Sequence, residues 1–518
     1  PRLLPALISI LLAFSMFSIE NFAMLELVRP FLIWKIIRQK STAHSKKDCW
    51  KVIRQWIPYL TVLVFFLIWR VFIFRFPTYK PTGVAGILQV PFQAIGSILS
   101  RIPRDFFTVY INVWVANLYL PTPMNFGKIA TFLFWLVVIS TSGLSVFFFH
   151  LQHGKQKVSP TVNCHQDRTV WEQLLGSVLL FLLAGSIVWG LDLRLENEFA
   201  WDRLTLAFIP GVALLGGFLF AFLEDKKTIQ ITLLTILFAL ASGLNFQNGI
   251  AFKRDWENLQ AFLTQLSWRI PALAENTIFI TSEPGLNYYS DNSLTAPVNL
   301  QYSTYSSNDE LSHFVYNTSA RADAWFESDL IDMEYSKSYR SFTFYGNTGS
   351  AIAYRFEPPS CLQILDRKFS NSITTPNLTD RQVKELRFTD LDLILQEPAN
   401  TPFSPLFAAS ETDSWCYYFE KADLARQFGD YAEVVQLGNS ALADGKAPRI
   451  PTEWLPFLEG YLWQGDFSAA RTILQEIAKA EGNYTSAMCY TLRRIAGEAQ
   501  YPFPSDISAL IAEHNCQK

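Results

Sequence analysis

The chain changes its hydrophobic pattern once, near its middle. Up to about Phe246 the apolar residues come in long runs. From about Gln247 they recur at the intervals of amphipathic helices and short strands. A helix crosses the hydrocarbon core of a bilayer with roughly 20 mostly apolar residues. Residues 57–76, 129–149, 174–191, 204–223 and 229–244 fit that requirement, and residues 3–19 make a sixth run. None of the five has a charge near its middle except the first, where Arg70 sits past the centre. A seventh run, 21–37, is interrupted by Glu26 and Arg29. A charge at mid-bilayer is costly, so this segment is expected to face protein or water rather than lipid. Residues 76–128 fit no simple span. Pro91 and Gly96 break 85–99, and aromatic residues crowd 106–120. Two readings stay open there: interfacial or re-entrant helices, or a further pair of tilted spans.

The second half reads differently. Phe252, Trp256, Leu259, Leu263, Leu266 and Ile270 form one apolar stripe of a helix. This amphipathic helix, 251–270, leads into Thr277-Ile278-Phe279-Ile280-Thr281, a short buried-strand pattern. Residues 341–345 and 351–356 flank Asn347-Thr348-Gly349, where Gly is expected to supply a positive φ and close a β-hairpin. Residues 361–366 are a further strand. Beyond them, Gly429-Asp430-Tyr431 and Gly465-Asp466-Phe467 each follow a helical pattern and precede another helix. That spacing is the pattern of tetratricopeptide repeats. The expected fold class is therefore a multi-pass α-helical membrane domain followed by a small α/β domain and a TPR-like α-helical segment. The expected boundaries are 1–250, 251–270, 271–415 and 416–518.

Composition adjusts this picture in three places. The chain has 518 residues, 50% hydrophobic, with a formal net charge of -3. That balance, with no basic stripe interleaved with aromatics, excludes a general nucleic-acid binder. Basic residues concentrate in three loops: Arg38, Lys40, Lys46, Lys47, Lys51 and Arg54; Lys155, Lys157 and Arg168; Lys226 and Lys227. Placing all three in the cytoplasm is consistent with seven spans and puts residues 247–518 outside a plasma membrane. The first run has Arg2 and an apolar core but no small-x-small cleavage site, so it reads as a span. A chain opening on Pro1 is expected to be a piece of a longer protein.

Cysteines follow the same division. Cys49 and Cys164 fall in the cytoplasmic loops, and Cys361, Cys416, Cys489 and Cys516 fall outside. Four external cysteines permit two disulfides in three pairings, or four unpaired thiols where the envelope is not oxidising. No Cys/His cluster points to a metal. Asn317, Asn377 and Asn483 open glycosylation sequons that are common by chance.

No Walker loop, GxSxG, HExxH or dinucleotide fingerprint occurs, so no catalytic residue is assigned. What remains is charge at the outer face. Glu20 joins the first two runs, Arg70 and Arg75 end the third, and Asp192, Arg194, Glu196, Glu198, Asp202 and Arg203 crowd one loop. Carboxylates there could act as a base or metal ligand, and arginines could hold a lipid phosphate. The bland alternatives are solvated loop charges and snorkelling arginines.

The run Leu12-Ala13-Phe14-Ser15-Met16-Phe17-Ser18-Ile19-Glu20-Asn21-Phe22-Ala23 resembles the polytopic, lipid-dependent glycosyltransferases of the C-type fold. Asp202-Arg203-Leu204-Thr205-Leu206-Ala207-Phe208-Ile209-Pro210 is similar to their Asp-Arg-Tyr-x-x-x-Pro stretch. A membrane half followed by repeats also resembles the transmembrane O-mannosyltransferases with tetratricopeptide repeats. The likeness covers roughly 1–250 plus the tail. It implies a polyprenyl-phosphate sugar donor, with Arg203 on the phosphate, Asp202 and Arg70 beside it and Glu20 in a structural or acceptor-side role. The family's acidic catalytic base would lie upstream of Pro1, and the middle α/β domain has no counterpart. A divalent metal is neither implied nor excluded. The rival class is a non-catalytic membrane scaffold whose TPR-like segment docks an envelope protein. A transporter fits less well, because no span carries paired interior charges. The charge pattern makes a direct prediction. Reporter fusions at Lys47, Ser159 and Ser350 should read inside, inside and outside, and an inside signal at Ser350 removes this topology.

Overall fold

A computed structural model describes residues 3–40, 46–74, 86, 89–153, 166–197, 202–223, 226–303, 309–321, 323–339, 342–375, 377–396, 414–480 and 484–516. Arg75, Cys164, Glu198 and Asn483 lie outside the described residues. The chain is mostly helical and divides into two compact units, Pro1–Ala251 and Phe252–Lys518.

The first unit is built from helices α1 (Leu3–Ser18), α2 (Arg29–Lys40), α3 (Lys46–Ile68), α4 (Pro91–Phe107), α5 (Lys128–His153), α6 (Gln166–Gly190) and α7 (Ile209–Ala221). Helix α8 (Lys227–Arg269) starts here and continues into the second unit. Among the described residues, five helical stretches are long and apolar enough to cross a membrane: Cys49–Ile68, Lys128–Leu151, Trp171–Gly190, Asp202–Ala221 and Lys227–Arg269. The run expected at 21–37 is not one α-helix. Glu20–Val28 is a 3-10 segment, and the α-helix begins only at Arg29. Glu26 explains the break: it is 5% exposed, and its carboxylate takes a bidentate pair from Arg29 one turn on. Residues 91–126 form α4, a π turn at Thr108–Asn112 and short helical turns. Asp105, Val109 and Tyr110 are buried, Val109 and Tyr110 among side chains of α6 and of the 3-10 segment Asp202–Phe208.

The second unit opens with the end of α8. The expected connecting helix 251–270 is therefore not separate; its stripe is the last third of a 43-residue helix. Phe262, Leu263, Leu266 and Ile270 are fully buried against one face of a four-stranded sheet. That sheet has β2 (Thr277–Thr281) flanked by the parallel strands β4 (His313–Asn317) and β7 (Ala351–Arg355), with β8 (Gln363–Leu365) antiparallel on β7. Helix α9 (Asp291–Tyr302) makes the crossover between β2 and β4. Side chains alternate with a period of two, as a sheet covered on both sides requires. Phe279, Val315, Ile352 and Ile364 face α8 and α9, while Ile278, Phe314, Ala353 and Leu365 face the other way. The second face is covered by β3 (Glu310–Leu311), β5 (Glu334–Tyr339) and β6 (Phe342–Asn347), with short helices α10 (Ala324–Glu327) and α11 (Asp380–Glu385). A two-stranded ladder joins β1 (Ala272–Leu273) to β9 (Ile394–Leu395).

The expected β-hairpin across Asn347–Gly349 does not form. β6 pairs with β5, and β7 pairs with β2 and β8, so the turn carries the chain from one sheet to the next. Gly349 is not at positive φ either. A Cβ there would stand 2.3 Å from Asp332 Oδ1, so the residue is small because a carboxylate crowds it.

Three helix pairs follow: α12 (Trp415–Gln427) with α13 (Tyr431–Ala443), α14 (Leu455–Trp463) with α15 (Phe467–Lys479), and α16 (Thr485–Ala496) with α17 (Pro504–Glu513). Gly429 (φ 77°) and Gly465 (φ 74°) end α12 and α14 in the left-handed conformation that L side chains avoid. Asp430 and Asp466 then cap the next helices, each accepting from a backbone N–H three residues on at 3.0 Å. Disulfides join Cys361 to Cys416 and Cys489 to Cys516, selecting one of the three pairings. The Ala425–Leu424 end of α12 packs on both the helical core and the sheet core, so 271–415 and 416–518 form one compact unit.

The two glycines separate strain from crowding. Nothing lies within 4 Å of a Cβ built on Gly429, whereas one on Gly465 would meet Phe503 Cζ at 2.9 Å. Gly429→Ala should cost about 1 kcal/mol of stability from backbone conformation alone. Gly465→Ala should lower the thermal unfolding midpoint further. Equal midpoints for the two variants would show that Phe503 yields without cost.

Candidate functional site

The structure brings the sequence-selected charges to one end of the helical unit. Glu20 opens the 3-10 segment Glu20–Val28, and Asp202 opens the 3-10 segment Asp202–Phe208. Phe22 and Leu25 of the first pack into the cluster that holds Leu204, Ala207 and Phe208 of the second, together with Val188 and Trp189 at the end of α6. Arg70 comes from a π turn, Trp69–Ile73, that closes α3. Its Nε donates to Glu20 Oε2 at 2.6 Å, and its guanidinium lies 5.0 Å over the Phe74 ring. Arg70 Nη2 is buried and has no acceptor among the described residues.

Asp202 and Arg203 behave differently. Asp202 Oδ1 accepts the backbone N–H of Arg203 at 2.7 Å, and Thr205 Oγ1 donates to the Asp202 carbonyl at 2.6 Å. These bonds set up the 3-10 turn. The Arg203 side chain is exposed, and Glu20 is engaged by Arg70. Asp192 instead pairs with Arg101 at 2.5 Å, a partner 91 residues away that no local pattern could reveal. Arg194 is exposed and Glu196 half-buried.

Two groups emerge that sequence reading passed over. Asp105 is 1% exposed; its carboxylate accepts Trp189 Nε1 at 2.9 Å and Arg104 at 3.3 Å. Beside it runs a groove of about 340 Å³ between α4 and the end of α6. Gln93, Ser97 and Arg101, spaced four apart, give it one polar wall, and Trp189 and Asp192 contribute to the other. The volume lies at the small end of ligand pockets, and the mix of one apolar ring with convergent polar groups is typical of them. Arg101 has the planar fork that holds phosphate or carboxylate with two parallel bonds. The signal was present in Pro91–Phe107, where the polar residues fall on one helical face, but that stretch reads as an interfacial helix as easily as a binding wall.

The α/β unit has its own polar cluster, at the carboxyl ends of the parallel strands. Such edges carry ligands in many open α/β sheets. Here Thr318 Oγ1 donates to Glu385 Oε1, Gln382 Nε2 donates to Glu283 Oε2 at 3.0 Å, and Arg355 forms a bidentate pair with Glu357 at 2.9 and 2.7 Å. Glu283 and Glu357 lie close enough for each to shift the other's ionisation. Their hydrogen bond pushes Glu283 up. Glu357 stays below the usual carboxylate range despite burial, because Glu283 donates to it and Arg355 lies beside it. Glu385 is fully buried, and burial raises its carboxyl from 4.5 to about 7 against the hydrogen bonds from Thr318 and Ser282.

Among the described residues no group of three or more His, Cys, Asp or Glu is placed to hold a metal ion. Comparison with family models, curated proteins and solved structures finds no match for this chain.

Glu385 gives a pH prediction with a definite sign. Its folded value lies above its unfolded value, so the fold is at full strength below about pH 4.5 and weakens as pH rises to about 7. The expected loss is on the order of 3 kcal/mol. Glu385→Gln keeps both hydrogen-bonding roles and should flatten this part of the stability curve. An unchanged slope in that variant would assign the titration to another group.

Proposed function

We propose that this chain is a multi-pass membrane protein whose helical unit binds a polyprenyl-phosphate sugar, as the resemblance to C-type-fold glycosyltransferases implies. The observation that carries the reading is the groove of Gln93, Ser97, Arg101, Trp189 and Asp192 at the end that also holds Glu20, Arg70, Asp202 and Arg203. It offers a guanidinium for a phosphate, and amide, hydroxyl and carboxylate groups for sugar hydroxyls. Membrane insertion is supported by surface chemistry. Helix α5 leaves Ile129, Phe132, Ile139, Leu144 and Phe147 more than half exposed on one broad face, while Thr131 and Phe134 on the other side are buried. A helix in water would bury such residues along one stripe. The three basic loops orient the spans so that Phe252–Lys518 lies outside the cytoplasm. The helix pairs joined by Gly-Asp turns read as TPR-like and would serve a protein partner or acceptor.

Four carboxylates described at this end already have work. Glu20 holds Arg70, Asp105 holds Trp189, Asp192 holds Arg101, and Asp202 shapes its own turn. These four therefore supply binding rather than a general base. This also favours the second reading, a membrane-anchored scaffold that binds lipid headgroups without chemistry.

The test is a binding measurement with the full chain in nanodiscs, using a polyprenyl-phosphate hexose. Arg101→Gln should weaken binding about 10–100-fold, the worth of a charge-assisted bond. Arg203→Lys, at an exposed side chain, should change it by less. No binding by the unaltered chain, or equal binding by Arg101→Gln, overturns the groove assignment. Binding with no transfer to any acceptor selects the scaffold reading over the enzyme.

A further inference from the structure

We infer that Phe252, Trp256 and Tyr288 form an aromatic collar that rests in the headgroup layer of the membrane and docks the α/β unit on the lipid surface. This rests on the membrane reading of the helical unit and goes beyond it. It assigns a lipid-facing surface to the part of the chain that reads as soluble.

The argument begins with the length of α8. Its 43 residues, at about 1.5 Å each, span roughly 65 Å, twice the thickness of a hydrocarbon core. Lys226 and Lys227 mark its cytoplasmic end, and apolar sequence begins at Ile229. About 20–22 residues cross about 30 Å at ordinary tilt, so the helix leaves the hydrocarbon at about residues 248–251. The next turn is Phe252-Lys253-Arg254-Asp255-Trp256. The headgroup layer is a further 5–8 Å or so on each side, which Phe252 and Trp256 span on a tilted helix.

Those two residues are exposed, whereas four of the unit's tryptophans are buried. Phe252 is 51% exposed and Trp256 49%. Trp268, Trp325, Trp415 and Trp454 are all under 9%. Being four apart, Phe252 and Trp256 share one face of the helix, with Lys253 exposed beside them. In water this arrangement leaves two large rings solvated. At a membrane interface it is favourable: aromatic rings with a polar edge prefer the headgroup level, and lysine and arginine flank them there.

The third ring is deliberately held. Tyr288 stacks on Phe252 with centroids 4.1 Å apart and an interplanar angle of 22°. Its loop is tied to the same turn of α8. Asp255, 7% exposed, accepts Asn287 N at 2.9 Å, Asn287 Nδ2 at 2.8 Å and the backbone N–H of Tyr288. Asn258 Nδ2 donates to the Gly285 carbonyl at 3.1 Å. Three bonds to one buried carboxylate fix a loop that would otherwise be free to leave. That loop is the one leaving the carboxyl end of β2, so the polar edge with Glu283, Glu357 and Glu385 would sit beside the lipid surface, where a lipid-linked substrate would arrive.

The experiment measures depth. In the full chain carrying Cys49→Ser and Cys164→Ser, single cysteines at Phe252→Cys, Trp256→Cys, Leu233→Cys and Tyr345→Cys are labelled with an environment-sensitive fluorophore. The protein is reconstituted in phosphatidylcholine–phosphatidylglycerol vesicles carrying quenchers at known depths. The Leu233 label should be quenched deep in the bilayer, the Phe252 and Trp256 labels at headgroup depth, and the Tyr345 label not at all. If the Leu233 label is quenched and the Phe252 and Trp256 labels are not, the collar is wrong while the membrane reading stands. If those two labels are also shielded from aqueous iodide, a protein rather than lipid covers them. An unquenched Leu233 label overturns both.

Discussion

The second unit depends on one buried charge array. Arg269, the last residue of α8, donates from Nε to Asp423 Oδ2 of α12 at 2.7 Å. Arg426 bonds the other oxygen of Asp423 and reaches Glu459 of α14 at 3.6 Å. Glu459 also takes Arg494 of α16, whose second nitrogen reaches Glu498 at 2.7 Å. Asp423, Arg426, Arg269 and Glu459 are at most 5% exposed. Burial alone would raise the Asp423 carboxyl; Arg426 and Arg269 outweigh it and hold it below its usual range. Such an array need not add stability over apolar packing, but removing one member leaves an uncompensated buried charge, costing about 3–5 kcal/mol. Its consequence is specificity of assembly. Helix α8, the sheet and the helix pairs can dock in one register, because any other strands a charge.

The sheet enters the same array through Phe369. Its ring lies 4.4 Å from the Arg426 guanidinium and 5.2 Å from that of Arg494. Glu453 accepts the Cys361 backbone N–H at 3.1 Å and Trp415 Nε1 at 2.8 Å, beside the Cys361–Cys416 disulfide. Gln265 of α8 accepts Leu362 N at 2.7 Å. Glu420 lies among these groups with neither oxygen hydrogen-bonded to a side chain or peptide by strict geometry, and burial pushes its carboxyl well above the usual range, so it is neutral. A polar junction that is paired or neutral at every position explains why this part of the chain is a single compact body despite its two kinds of secondary structure.

What the sequence made legible was what local spacing encodes. The stripe from Phe252 to Ile270 is a helix with its apolar face buried, and Gly429-Asp430 and Gly465-Asp466 are turns followed by caps. Those features depend on residues within one or two turns of each other. Glu26 stood out as a charge inside an apolar run, but its effect on the backbone, a 3-10 segment held by its pair with Arg29, was not legible. The remaining misses are non-local. Whether β6 and β7 pair with each other or join separate sheets is decided by β5, β2 and β8, not by the turn between them. The charge pattern picked Arg203 from its motif, while the groove is lined by Arg101, whose partner Asp192 lies 91 residues on. Cysteine counting allowed three pairings, and only the docking of α12 on the sheet brings Cys416 to Cys361.

The two units meet the same constraint from opposite sides. In an apolar surrounding a charge must be paired or neutral, and the helical unit satisfies this by giving Glu20, Asp105 and Asp192 a donor each. The cost is chemical idleness: a carboxylate engaged by Arg70, Trp189 or Arg101 is a poor base until its partner leaves. Arg101 and Asp192 are the pair best able to part, since both are partly exposed, at 32% and 47% of their side chains, and exposed pairs are worth about 1 kcal/mol or less. A phosphate arriving in the groove would compete for Arg101 through its planar fork and release Asp192 beside the bound headgroup. Glu20 and Arg70, at 31% and 14%, are less free to exchange. If chemistry occurs at this end of the molecule, its carboxylate is therefore Asp192 rather than Glu20, and it becomes available only once the ligand has displaced it.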